Sequence, residues 1–298
     1  MRELDAGPWS TARHIAGEHA SLLTAVHGLA DLAELNRDRF EVVGVTGNSM
    51  GFYTALVAAG ALDLVDGLTL VETMGAYQAD NVIGGQILYP VTNPDWQPDD
   101  AARLAVDAAM ARAVAAGHAA ALSIDLVGYV VIGADEAGCR ALMASLPPVE
   151  RGGRTFPTLL PLHSAFHTPL LQSASDRARD DLAHLGWRDP VVDLVDGRGH
   201  VHRPHSTAPD ALAAYTLGHQ VVAPYNLTVA LRTALQHCAP DVVVALGPGN
   251  SLGGPIARAL VTAGWRGLRT RDDFDRAQAS DEPALLAFGV SLQRPLLQ

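Results

Sequence analysis

One ten-residue stretch constrains this chain more than any other: Val42-Val43-Gly44-Val45-Thr46-Gly47-Asn48-Ser49-Met50-Gly51. An apolar, β-branched run ends in Gly-x-Ser-x-Gly, and Phe52 to Ala59 then reads as a helix. That is the strand–tight turn–helix context of a nucleophile elbow. Glycines on either side of the serine let the backbone turn sharply and push the hydroxyl outward. The serine also falls at a helix N-terminus, where backbone N–H groups and the helix dipole favour developing negative charge. The pattern predicts a serine that carries an acyl group; the plain alternative is a strand–helix turn with an incidental serine.

Around the elbow the apolar periodicity alternates between strand and helix. A helix is predicted from Thr11 to about Leu35, another from Leu64 to about Ala79 with Asp63 as its N-cap, and later helices near 170–185, 210–217, 227–238 and from 252. Val191 to Val195 reads as a strand, and the fully apolar run Val242 to Leu246 reads as a strand of parallel type. Strands alternating with helices imply an α/β fold with a doubly wound, mostly parallel sheet. Between them the character changes. Strands at Gly84–Val91, Ala120–Ile124, Val127–Ile132 and Leu159–Leu162 enclose helices at Ala101–Ala116 and Asp135–Ser145, which predicts a small inserted α+β subdomain. The expected division is a large domain of residues 1–81 and 161–298 and a small subdomain of residues 82–160. The tail after about Asp272 reads as loosely held.

Composition narrows the function. A formal net charge of −11 argues against general affinity for nucleic acid or anionic membranes, and a contact with an acidic carrier protein would need a local basic patch. Cys139 and Cys238 form no C-x-x-C pair and read as reduced, buried thiols of a cytoplasmic protein. The N-terminal Met-Arg-Glu-Leu-Asp-Ala-Gly-Pro has no apolar signal region, and no stretch reaches the length of a membrane span.

A serine nucleophile needs a base, and among 12 histidines His167 stands out. Ala165-Phe166-His167-Thr168-Pro169-Leu170 places it between an apolar strand end and a helix start. At this point the motifs become specific. Gly47-Asn48-Ser49-Met50-Gly51 with the helix to Asp63, Ser164 to Leu170, Gln220-Val221-Val222-Ala223-Pro224-Tyr225-Asn226, and Leu246-Gly247-Pro248-Gly249-Asn250-Ser251-Leu252 together resemble the malonyl-CoA:acyl-carrier-protein transacylase family. That family includes the acyltransferase domains of polyketide synthases. The resemblance implies Ser49 as nucleophile, His167 as general base, the Gln220 backbone carbonyl orienting the imidazole and the Met50 N–H as an oxyanion donor. It also implies that the small subdomain is ferredoxin-like, with substrate in the cleft between the lobes. The substrates would be acyl-CoA and acyl carrier protein thioesters, and no cofactor or metal would be needed.

Departures from the family bear on the substrate. Where malonyl-specific members carry an arginine to pair with the free carboxylate, this chain has Met74. A malonate buried against methionine would lack a counter-charge, at a cost of several kcal/mol. An uncharged acyl group is expected instead, with Met74 lining its pocket, or else Met74 simply packs in the core. Phe166 implies a group unbranched at the α-carbon, unless it too is a core aromatic. Asn48 stands where the family has histidine, and Ser123 and Asp125 before Gly128 replace a pair of asparagines. Only 48 residues precede Ser49, and the family's early Gly-Gln-Gly loop, the source of a second oxyanion donor, is absent. The expectation is a chain that starts downstream of the true start, or a shortened variant whose rate is lower by about two to three orders of magnitude.

Other readings have less support. His200, His202 and His205 suggest a metal site, but Arg203 and Pro204 intervene and a solvated loop is expected. Asp196-Gly197 is compatible with a Ser–Asp lipase, and His219 or His237 with Asp193 could serve an α/β-hydrolase triad. The expected function is therefore transfer of a non-malonyl acyl group through acyl-Ser49. The alternatives are thioester hydrolysis by the same dyad, malonyl transfer despite Met74, and a non-catalytic carrier-binding scaffold.

Overall fold

A computed structural model describes Ser10 and residues 17–80 and 82–298. The helix expected from Thr11 is described from Gly17 as α1 (Gly17–Glu34); Thr11 to Ala16 lie outside the described residues. The elbow strand β1 (Gly44–Thr46) leads into α2 (Met50–Ala58), and α3 (Leu64–Asp80) follows. The Asp63 carboxylate caps α3 by accepting from the Asp66 N–H at 2.9 Å, as its N-cap position predicts.

The small lobe runs β2 (Gly85–Pro90), α4 (Asp100–Ala115), β3 (Ala120–Asp125), β4 (Tyr129–Ala134), α5 (Glu136–Ser145), a hairpin β5 (Val149–Arg151) and β6 (Arg154–Phe156), and β7 (Thr158–Leu160). Side-chain caps start both helices: Asp99 accepts from Ala102 and Asp135 from Gly138. The strands pair antiparallel in the order β3-β4-β2-β7, the arrangement of a ferredoxin-like βαββαβ unit. The β5–β6 hairpin was not legible in the sequence, because its only turn signal is Gly152-Gly153 inside a polar run.

The remaining chain comprises α6 (Gln172–Asp181), β8 (Asp193–Val195), β9 (Val201–His202), α7 (Pro209–Ala214), a single π-turn (Tyr215–His219), a helical turn (Gln220–Val222), β10 (Tyr225–Asn226), α8 (Leu227–Cys238), β11 (Val243–Ala245), α9 (Gly253–Thr262), α10 (Arg271–Gln278), β12 (Leu285–Ala287) and α11 (Arg294–Leu297). The helix expected over 210–217 is thus a short α-helix that widens into a π-turn. β10 pairs parallel with β3 and ties this half of the chain to the small-lobe sheet.

One expectation about the large lobe gains detail and one needs correction. Its parallel strands form separate pieces, β1 beside β8 with antiparallel β9, and β11 beside β12, rather than one continuous sheet. Among the described residues β1 is hydrogen-bonded only to β8 and β11 only to β12. Both are half-buried, whereas β12 is buried throughout. These strands are three residues long, too short to enforce a ladder on both edges. The C-terminal tail, in turn, is firmly packed. A capping box between Thr270 and Asp273 starts α10. β12 adds a parallel strand with Val243 opposite Leu285, and Leu286, Phe288 and Leu297 form a core cluster with Leu35. Arg294 pairs with Glu34 at 2.6 Å. The four-residue apolar run Leu285-Leu286-Ala287-Phe288 carries this docking, and its shortness hides it from periodicity.

The packed tail generates a stability test. Phe288 is 2% exposed, so Phe288→Ala is expected to cost about 3–5 kcal/mol in urea denaturation; a cost below about 1 kcal/mol would restore the loose-tail reading.

Candidate active site

At the elbow the serine itself takes up the turn. Ser49 has φ 54° and ψ −116°, a left-handed-side conformation that a non-glycine residue holds only under constraint. The two flanking glycines are not equivalent. A Cβ on Gly47 would lie 2.1 Å from the Gly51 carbonyl oxygen, whereas one on Gly51 would meet nothing within 4 Å. Only the first glycine is a steric requirement, which refines the motif-based expectation. Behind the turn, the Tyr225 hydroxyl donates to the Gly47 carbonyl. Burial holds that phenol far above its usual range, so it stays a donor. Sequence reading passed over Tyr225, since a tyrosine inside a motif does not announce where its hydroxyl points.

The structure brings Ser49, His167 and Gln220 together. Ser49 Oγ lies 2.7 Å from His167 Nε2, and His167 Nδ1 lies 2.5 Å from the Gln220 carbonyl oxygen. A carbonyl can only accept, so Nδ1 carries the proton and Nε2 is left to accept from the serine hydroxyl. The Gln220 carbonyl is free for this role because its helical partner four residues on would be Pro224, which has no N–H. The Gln220 side chain also donates to the Ser49 carbonyl at 3.1 Å. His167 is 2% exposed. Burial pushes its pKa down to about 4, against the opposing pull of the Gln220 carbonyl.

The other expected residues fall as follows. Met50 is the first residue of α2, so its N–H has no intrahelical acceptor and is available to an anion. Asn48 Oδ1 and Gln220 Oε1 are buried without hydrogen-bond partners. Phe166 is half-buried against the main core, its ring 6.4 Å from that of His167. Met74 is 4% exposed within the same apolar cluster.

The polar loop after β8 is solvated at His200, Arg203 and His205, as expected, but it is anchored inward at Asp196 and His202. Asp196 and His202 are buried, and the Asp196 carboxylate accepts from His202 Nε2 (3.1 Å), Arg198 Nε (3.0 Å) and Nη2 (2.6 Å), and the Arg198 and His200 N–H groups. Burial pushes this carboxyl up, but the His202 and Arg198 hydrogen bonds outweigh it and hold it below the usual range. Satisfying one buried charge therefore drew the loop inward. Asp196 is thereby occupied away from the serine, which removes the lipase reading. His237 pairs with Asp193 at 2.8 Å, but the base beside Ser49 is His167. Among the described residues no group of three or more His, Cys, Asp or Glu is arranged to hold a metal ion. Both cysteines are free; Cys139 is buried and Cys238 only half-buried.

The architecture and the Ser–His–carbonyl relay define an α/β protein with a serine hydroxyl poised against a buried, neutral histidine. No family model matches the chain. It is 28% identical over 201 residues to the probable mitochondrial malonyl-CoA-acyl carrier protein transacylase of Drosophila melanogaster, a match covering 63% of this chain and 51% of that protein. To the malonyl CoA-acyl carrier protein transacylase of Escherichia coli K12 it is 28% identical over 257 residues, covering 83% and 72%. The chain thus spans about half the length of the first relative. In fold it superposes on the malonyl-CoA:ACP transacylase of Synechocystis sp. PCC 6803 with TM-score 0.74 and 18% identity, over 99% of this chain and 88% of that one. It also superposes on an iterative polyketide synthase acyltransferase domain of enediyne biosynthesis with TM-score 0.63 and 21% identity, over 93% and 62%. Its relatives and structural neighbours are malonyl-CoA:acyl carrier protein transacylases, with a polyketide synthase acyltransferase domain among the neighbours.

Two predictions follow the geometry. Gly51→Ala, in a helix with room for the methyl, should stabilise by about 0.5–1 kcal/mol and raise the melting midpoint by about 1–3 °C, while Gly47→Ala abolishes labelling of Ser49 by a fluorophosphonate. Because folded His167 stays neutral to about pH 4, that labelling should keep its neutral-pH rate down to about pH 5. The unfolded imidazole protonates near 6.5, so stability is lost as pH falls from about 6.5 towards 4. His167→Gln should flatten that loss, and a labelling limb near pH 6.5 would contradict the buried neutral base.

Proposed function

We propose that this chain is an acyltransferase that carries an uncharged acyl group on Ser49 between thioesters of coenzyme A and acyl carrier protein. The setting is polyketide- or fatty-acid-type biosynthesis. The observation that carries the reading is the Ser49–His167–Gln220 relay. His167 Nε2 takes the Ser49 proton as Oγ attacks the thioester carbonyl, and the Met50 N–H receives the negative charge that builds on the carbonyl oxygen. The C–S bond breaks, the thiolate leaves with the proton from His167, and acyl-Ser49 remains. A second thiol, deprotonated by the same imidazole, reverses the sequence. The thioesters are substrates, and the scheme calls on no cofactor.

The neutral Met74 at the position where malonyl-specific members of the resembled family carry an arginine supports a neutral acyl group, because a carboxylate there would lose its hydration without gaining a counter-charge. The orphaned acceptors of Asn48 and Gln220 beside the nucleophile suit a ligand with N–H donors. Malonyl transfer is the second reading, favoured by the names of the relatives.

Intact mass after incubation with acetyl-, octanoyl- and malonyl-CoA tests both. A neutral acyl adduct that is absent in Ser49→Ala and forms at least tenfold faster than the malonyl adduct is expected. Equal malonyl labelling would overturn the role of Met74, and no adduct from any donor would remove the enzyme reading. Added carrier protein that gains the acyl group distinguishes transfer from hydrolysis.

A further inference from the structure

His167 has φ 61°, the left-handed region that non-glycine residues hold only where their surroundings over-determine it. Its own peptide unit shows how. The His167 N–H donates to the Val221 carbonyl at 2.8 Å, on the side of the chain that carries Gln220. At the other end of the same peptide, the Phe166 carbonyl accepts from Ser123 Oγ at 2.8 Å and from Gln86 Nε2 at 3.4 Å. Gln86 Nε2 also donates to Ser123 Oγ at 2.8 Å, which leaves the serine proton directed at the carbonyl. Gln86 and Ser123 are both buried.

The small-lobe sheet is shaped to bring these two side chains together. Gln86 lies on β2 and Ser123 on β3, the strands on either side of β4. The β3–β4 register slips between Leu122 and Ile124, so Ser123 is the extra residue of a bulge, a device that re-aims a side chain. Opposite Gln86 on β4 stands Gly133. A Cβ there would lie 2.6 Å from Thr168 Cγ2 and 3.5 Å from both Ala165 Cβ and Ser123 Cβ. The missing side chain opens the space in which the histidine loop rests on the sheet.

We propose that Gln86 and Ser123 are positioning residues for His167: a hydrogen-bonded clamp from the small lobe that fixes the Phe166–His167 peptide and so aims the imidazole at Ser49 and the Gln220 carbonyl. The inference rests on the relay described above, and its test separates the two. In the full chain, the His167 Nδ1–H proton is observed by NMR as a downfield signal, assigned by its loss in His167→Gln. Ser49 labelling by a fluorophosphonate is measured in parallel. Ser123→Ala and the volume-conserving Gln86→Met should each broaden the Nδ1–H signal, speed its exchange and slow labelling at least tenfold. The double variant should be little worse than Ser123→Ala alone, because the two groups act in series, and Ser123→Thr should restore both readouts. A signal and a labelling rate within twofold of the parent in either single variant overturn the clamp, as do losses that merely follow a lowered melting midpoint. The NMR arm needs no acyl donor, so a failed donor panel beside a disturbed Nδ1–H signal counts against the proposed function and for the clamp.

Discussion

A backbone carbonyl has no proton to give, and that simple fact sets the chemistry of this site. With the Gln220 oxygen 2.5 Å from His167 Nδ1, the imidazole has one tautomer available, and its Nε2 lone pair faces the serine. The bond exists because Pro224 cannot donate to the carbonyl four residues before it, leaving the buried Gln220 carbonyl without a helical donor. The π-turn Tyr215–His219 immediately before it shifts the helical register by one residue. The tyrosine of that turn is held by the Asp196 loop: the Gly197 N–H donates to the Tyr215 hydroxyl at 2.8 Å, and the Arg198 guanidinium lies over its ring. The buried Asp196 carboxylate after β8 thus acts at a distance, as part of the frame that presents one carbonyl.

The same loop also supports the elbow. Gly197 lets the Tyr225 ring lie against the backbone, since a Cβ there would sit 2.5 Å from the ring. Tyr225 in turn holds the Gly47 carbonyl and stands 5.6 Å from the His167 ring. Phe52 of the elbow helix meets Tyr215 edge-on at 5.4 Å. Nucleophile and base, 118 residues apart in sequence, are therefore braced by one aromatic layer. A site of this kind needs its geometry fixed to fractions of an ångström, and two residues in strained backbone, Ser49 and His167, are affordable only with such bracing.

Much of this was legible in the residues. Gly-x-Ser-x-Gly after a β-branched run specified the elbow, alternating strands and helices marked the small α+β lobe, and its ferredoxin-like character came from the family resemblance. His167 was selected by its place between an apolar run and a proline. What escaped had physical causes. Gln86 and Tyr225 act through side chains whose direction depends on tertiary register, which a period of two or 3.6 does not encode. Ser123 depends on a bulge, a one-residue insertion without a compositional sign. The inward turn of His202 onto Asp196 escaped because its polarity is real and its burial is possible only through mutual satisfaction. The tail was misread because four apolar residues are too few to show a period.

The choice of a carbonyl over a carboxylate behind the histidine also fits the thiol leaving group of the proposed reaction. A carboxylate on Nδ1 would stabilise the imidazolium and raise its pKa. Here only burial and the Gln220 dipole act, and burial prevails, holding His167 at about 4. So weak a base would serve amide cleavage poorly, where an amine must be forced out as it is protonated. Thiols ionise near pH 8.5, so a thiolate departs with far less help, and exchange of an acyl group between sulfur and oxygen asks little of its proton carrier. What it does ask is that water stay out while the acyl group waits on the serine. A base that is buried, neutral and held by a dipole adds no ionised group that would draw water in, which is what the proposed transfer between thiols needs.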